Sequence, residues 1–152
     1  MDGNYIKELS KDSFSSLGLL HLQRISLKSC KIQRVDEDAF SQLKILTHVH
    51  LDSNNISKLP TKLFDGNDRL DTIGLSQNQI GSLSSHQFPH LDALKKIDLS
   101  NTGLESINSK AFSNLGSSLE TIHLNDNLLK TVRGETFENL HGLKVKIYYF
   151  IP

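Results

Sequence analysis

Phenylalanine recurs in this chain at an almost fixed interval. Phe14, Phe40, Phe64, Phe88, Phe112 and Phe137 are separated by 26, 24, 24, 24 and 25 residues, so six of the seven phenylalanines obey one period. A leucine keeps the same beat: Leu22, Leu46, Leu70, Leu94, Leu119 and Leu143 follow at steps of 24, 24, 24, 25 and 24. Self-similarity at such a period belongs to chains built from stacked units, each too small to bury its own apolar face. The unit from Leu46 to Asp68 shows the pattern most fully. Counting from its opening leucine, Leu46, Val49, Leu51, Ile56, Leu59 and Phe64 stand at offsets 0, 3, 5, 10, 13 and 18, with Asn54 at offset 8.

Each offset has a physical reading. Offsets 2 to 6 form a short strand, in which alternation sends offsets 3 and 5 inward and offsets 2, 4 and 6 outward. Neighbouring units then pair these strands in parallel. At offset 8 the chain turns away from the sheet, and a buried asparagine amide satisfies backbone groups of its own and the adjacent turn. Asn54, Asn78 and Asn127 fill that position, while Cys30 and Thr102 take it in their own units. Cys30 therefore reads as a structural thiol; as a single cysteine it makes no internal disulfide. The phenylalanine at offset 18 is expected to stack into an aromatic spine on the opposite, convex side. Asn67, where a leucine is usual, predicts a polar convex turn within Asp65-Gly66-Asn67-Asp68.

The spacing L-x-x-L-x-L-x-x-N-x-L-x-x-L followed by F-x-x-L resembles the leucine-rich repeat family in its 24-residue extracellular form, over about residues 4 to 143. The wording of Asp65-Gly66-Asn67, Asn101-Thr102-Gly103-Leu104 and Asn114-Leu115-Gly116-Ser117-Ser118-Leu119 is similar to arthropod chaoptin-like adhesion proteins and to the non-catalytic subunit of Oplophorus luciferin 2-monooxygenase. The resemblance implies an α/β fold class: a solenoid with a parallel β-sheet on its concave face and loops and short helical turns on its convex face. It implies one domain over residues 1–152, with a partial repeat at 4–21, full repeats from 22, 46, 70, 94 and 119, and a degenerate end at 143–152. For the parent protein it implies an extracellular or cell-surface role in adhesion, receptor recognition or as an accessory subunit. A structural scaffold, or an intracellular repeat subunit that stabilises an enzyme, is the alternative.

The outward offsets give a map of the concave face. Offset 2 reads Arg24, His48, Thr72, Lys96, Thr121; offset 4 reads Ser26, His50, Gly74, Asp98, His123; offset 6 reads Lys28, Asp52, Ser76, Ser100, Asn125. From these, Arg24, Lys28, His48, His50, Asp52, Lys96, Asp98, His123 and Asn125 are the expected partner-binding residues. The surface is polar and has none of the aromatic anchors that dominate tight interfaces. His48, His50 and Asp52 invite a metal reading, but the ends of that line are roughly 13 Å apart along an extended strand, too far for one small ion. His50 and His123 lie three rows apart, roughly 14 Å at the strand spacing of a sheet. Neither set is expected to bind metal.

Composition narrows the function classes. Seventeen Lys and Arg balance seventeen Asp and Glu, so no net field draws the chain to nucleic acid. No phosphate loop, HExxH or GxSxG is present, and an open solenoid offers no cleft to shield acid–base chemistry. The expectation is a non-enzyme without cofactor that binds a protein, not nucleic acid, and has no transmembrane segment or signal peptide in this chain. Asn55-Ile56-Ser57 is an N-glycosylation sequon one residue past the buried ladder. The cysteine-rich caps usual in extracellular members are missing, which reads as a fragment of a larger protein. Leu9, Phe14 and Leu17 at one end, with Val145, Ile147, Tyr149 and Phe150 at the other, are therefore expected to lie exposed and to drive self-association.

Overall fold

A computed structural model describes residues 1–116 and 118–144. Nine short strands follow one another: β1 (Glu8–Leu9), β2 (Arg24–Ser26), β3 (Arg34–Val35), β4 (His48–His50), β5 (Thr72–Gly74), β6 (Ser82–Leu83), β7 (Lys96–Asp98), β8 (Ser106–Ile107) and β9 (Thr121–His123). Strands β2, β4, β5, β7 and β9 form one five-stranded parallel sheet in that order. Its register follows the repeat: Ile25 pairs with Val49, Val49 with Ile73, Ile73 with Ile97 and Ile97 with Ile122. The helical content of the described residues is limited to 3-10 turns at Ser15–Leu17 and Gly134–Phe137. This is the expected solenoid, with a concave parallel sheet and a convex side of loops and short helical turns.

The chain leaves each strand through a residue in the left-handed region. Ser29, Ser53, Gln77, Asn101 and Asp126, all at offset 7, have φ between 51° and 58°. Gly3, at φ 74°, continues the column one row earlier, and its N–H donates to the Lys28 carbonyl at 2.8 Å. That turn aims offset 8 into the core. Asn54 Oδ1 accepts from the N–H groups of Cys30 and Ile32, both at 3.0 Å, while its Nδ2 donates to the carbonyls of Leu27 and Leu51. Asn127 repeats the arrangement, accepting from Thr102 and Leu104 and donating to Leu99 and Leu124. Asparagine is needed because one side chain must both donate and accept across two rows of buried backbone. The buried Cys30 thiol imitates only the donating half, toward the carbonyls of Met1 and Lys28.

Most apolar offsets are buried, with Leu22, Ile107, Val132, Phe137 and Leu143 partly so, and each fully buried Leu, Ile or Phe stabilises the stack by about 1.5–3 kcal/mol. The aromatic spine, however, comes in two pieces. Rings stack through Phe14, Phe40 and Phe64 with centroids 5.7 and 5.8 Å apart, and through Phe88, Phe112 and Phe137 at 5.8 and 6.0 Å. Among the described residues no stacked pair joins Phe64 to Phe88.

The backbone breaks at the same place. A second ladder runs through offsets 12 and 13, pairing β1 with β3 and β6 with β8. In these pairs an offset-14 amide closes the ladder: Asp36 N–H donates to Leu9, and Asn108 N–H to Leu83. The residue at that position in the intervening row is Pro60, which has no N–H to give to Val35. On the far side Gln87 takes over. Its amide nitrogen donates to the Leu59 carbonyl at 2.9 Å and its oxygen accepts from the Ser84 N–H at 3.0 Å. A groove of about 710 Å³ opens here, bordered by Gln33, Lys58, Pro60, Ile80 and Gln87.

Two expectations are corrected. Asn67 is no solvated turn residue: it is fully buried, and its Nδ2 donates to the carbonyls of Phe40 and Leu43, both at 3.0 Å. Its amide replaces the usual leucine by satisfying the preceding convex turn. Leu9 and Phe14 are buried rather than exposed, because β1 pairs with β3 and Phe14 stacks on Phe40. Leu17 is 65% exposed, as expected. Val145, Ile147, Tyr149 and Phe150 lie outside the described residues.

Candidate functional site: the concave sheet

Strand alternation places the outward residues of β2, β4, β5, β7 and β9 on one surface, and parallel pairing stacks equal offsets into columns. Arg24, His48, Thr72 and Lys96 are consecutive register partners in one column; Ser26, His50, Gly74, Asp98 and His123 form the next. All of the expected binding residues are thus on one face. His50 and His123 remain three rows apart, and among the described residues no three metal-ligating side chains converge.

The centre of the face is organised by Asp52. Its Oδ1 accepts from the N–H and hydroxyl of Ser76 at 3.2 and 2.8 Å. Its Oδ2 sits 3.4 Å from Lys28 Nζ and 3.5 Å from His50 Nδ1, close enough for ion pairing but without hydrogen-bond alignment. Gly74 makes this possible. A Cβ there would stand 2.7 Å from Asp52 Oδ2 and 2.8 Å from His50 Nδ1, so the missing side chain leaves the space that both groups fill. Lys28, read from sequence as part of a free cationic start, is therefore already matched by Asp52. One row pair further, His123 Nδ1 lies 3.5 Å from Asp98 Oδ2, while Asp98 Oδ1 accepts from the hydroxyl of Ser100. Asn125 donates to Asp126 at 2.7 Å. Asn55 is exposed, away from these columns, with its N–H given to the Ile32 carbonyl.

His48 is held by a neighbouring hydroxyl. Thr47 gives its hydroxyl proton to the Gln23 carbonyl at 2.8 Å, so its oxygen is left to accept from His48 Nδ1 at 2.9 Å. That assigns the proton to Nδ1 and turns Nε2 toward Asp71, 3.9 Å away. Burial, then the nearby Arg24, hold the His48 pKa below its ordinary 6.5, with Asp71 pulling the other way. Asp71 itself is raised by burial, yet hydrogen bonds from Lys95 and Thr72 outweigh this and keep it below the usual carboxylate value.

Sequence reasoning passed over the column that carries Asp71. Offset 1 reads Gln23, Thr47, Asp71, Lys95, Glu120 and Lys144, with ion pairs of 3.0 Å between Asp71 and Lys95 and 3.1 Å between Glu120 and Lys144. Alternating signs at the repeat spacing were the signal for it. It borders the concave face with a charge ladder whose members mostly cancel.

The repeat frame extends to known proteins. A family model described as the BspA type leucine rich repeat region matches residues 7–144 in six copies. The chain belongs to this leucine-rich repeat family. Epiphycan of Mus musculus and epiphycan of Homo sapiens are each 44% identical to this leucine-rich repeat chain over 57 residues, which is 38% of the chain and 17% of theirs. A solved structure, the TLR13–ssRNA13 complex, matches 95% of the chain with a TM-score of 0.81 and 26% identity. The repeats span 21% of that protein chain, so they correspond to a small part of each of these longer proteins. No helix among the described residues is long and apolar enough to cross a membrane.

Proposed function

We propose that this chain is a non-catalytic protein-binding module of a cell-surface or extracellular leucine-rich repeat protein, with the concave sheet as its docking surface. The observation that carries this reading is the in-register polar array on β2, β4, β5, β7 and β9. Its backbone is fixed from behind by the buried asparagine ladder, so little backbone ordering is required when a partner arrives. Arg24, Lys28, His48, His50, Asp52, Lys96, Asp98, His123 and Asn125 are the contact residues. The exposed Asn55 sequon fits an exported parent, and a glycan there would leave the concave columns clear.

Single-stranded RNA is named in the matched TLR13 structure. Here a net charge of zero and a concave face without Phe, Tyr or Trp favour a protein instead. Cell-surface binding of the purified chain, read by flow cytometry, tests the proposal. Thr72→Glu with Thr121→Glu, which places two new carboxylates on the sheet, abolishes binding, while Ser109→Glu on the convex side preserves it. Loss with the convex variant alone would contradict the assignment.

A further inference from the structure

We infer that the concave face takes an extended acidic peptide laid across the strands, with carboxylates four residues apart docking on Arg24 and Lys96. This rests on the docking reading above and gives it a ligand class. Among the described residues Arg24 and Lys96 have no ion-pair partner, whereas Lys28 and Lys95 are matched by Asp52 and Asp71. The two unmatched cations share the offset-2 column, separated by three register steps through His48 and Thr72. Three strand spacings amount to roughly 14 Å. Along an extended peptide, side chains on one face recur every second residue, and four residues advance about 13 Å. Carboxylates at i and i+4 therefore point the same way at a matching separation, whereas i and i+3 point to opposite faces.

The field between the two cations is consistent with such a ligand. His48 stands there with its protonation opposed by burial and by Arg24, and an incoming carboxylate would favour the protonated imidazole. A polyphosphate backbone suits the surface less well. Asp98 lies on the same strand as Lys96, one outward position away, and would repel a ligand charged uniformly along its length.

Fluorescence anisotropy with two dye-labelled, serine-rich peptides of equal composition tests this. One carries glutamates at i and i+4, the other at i and i+3. The first binds roughly tenfold more tightly, as expected for one additional charge-assisted contact. Arg24→Ala and Lys96→Ala each reduce it to the level of the second peptide with the thermal unfolding midpoint unchanged, while Lys130→Ala, at an exposed cation elsewhere, has no effect. Equal affinity for the two peptides, tighter binding of a single-stranded RNA oligonucleotide, or an equal loss with Lys130→Ala overturns the inference. If neither peptide binds while cell-surface binding still disappears with Thr72→Glu and Thr121→Glu, the acidic-peptide inference fails and the docking surface stands.

Discussion

The side-chain amide of Gln87 donates to the backbone carbonyl of Leu59, 28 residues away, at 2.9 Å. With its oxygen accepting from Ser84, this one buried side chain replaces the backbone contact by which the unit from Leu70 would otherwise join the unit from Leu46 on the convex side. Pro60 removes the ladder bond on the other side of the same row.

Gln87→Ala leaves a buried carbonyl and N–H without partners and costs about 2 kcal/mol or more. Urea unfolding measures the loss, and amide exchange locates it: Ser84 exchanges faster while Ile25 and Val49 in the concave sheet keep their protection relative to global unfolding. An unchanged urea midpoint would show that water replaces the amide at no cost.

Thr102 is the incomplete rung of the asparagine ladder. Its hydroxyl donates to the Leu99 carbonyl at 2.8 Å, but it has no amide group to reach both adjoining rows. Thr102→Asn adds one or two hydrogen bonds and raises stability by about 1 kcal/mol. Asn54→Ala, which strips acceptors from Cys30 and Ile32 and donors from Leu27 and Leu51, lowers it by about 3 kcal/mol. Thermal unfolding of the two variants moves in opposite directions; a shift of the same sign would contradict the rung assignment.

His48 predicts a pH dependence. Its folded pKa lies below 6.5, so the unfolded chain binds more protons in the window between the folded value and 6.5. Its contribution to stability is present above that window and is lost as pH falls through it. His48→Gln flattens the stability profile across that range, measured by urea unfolding at a series of pH values. A wild-type profile matched by the variant would remove His48 as the cause.

Gly74→Ala tests the packing of the central charge cluster. The new methyl drives His50 and the Asp52 carboxylate apart, and Asp52 is held to Ser76 from the other side. The cost is about 1 kcal/mol, as for mild overpacking, and the His50 imidazole resonances shift. Unperturbed His50 resonances would mean that the two side chains are not confined by the missing Cβ.

The repeat was legible because each core position recurs with one residue type and one partner a row away. The strands, their register, the ladder of Asn54, Asn78 and Asn127 and the membership of the concave face followed from that. Residues that act through a single exception were harder to see. Gln87 and Asn67 are polar at convex positions, and polarity alone suggests solvent; only the Leu59 carbonyl and Ser84 N–H for Gln87, and the orphan carbonyls of Phe40 and Leu43 for Asn67, turn them inward. Lys28 and Asp52 share a column in adjacent rows, but the gap at Gly74 that also brings in His50 depends on absent atoms. The Asp71–Lys95 ladder lies one residue before the strand, outside the alternation used to choose outward positions.

The concave sheet, and not the convex side, is the surface proposed to meet a protein partner. Site-specific photo-crosslinking on living cells tests it most directly, with the reactive side chain placed at Thr72 or Thr121 on the sheet and at Ser109 on the convex side. One discrete protein adduct forms from both concave positions and none from Ser109. The same adduct formed from Ser109, with Thr72 and Thr121 silent, would contradict it.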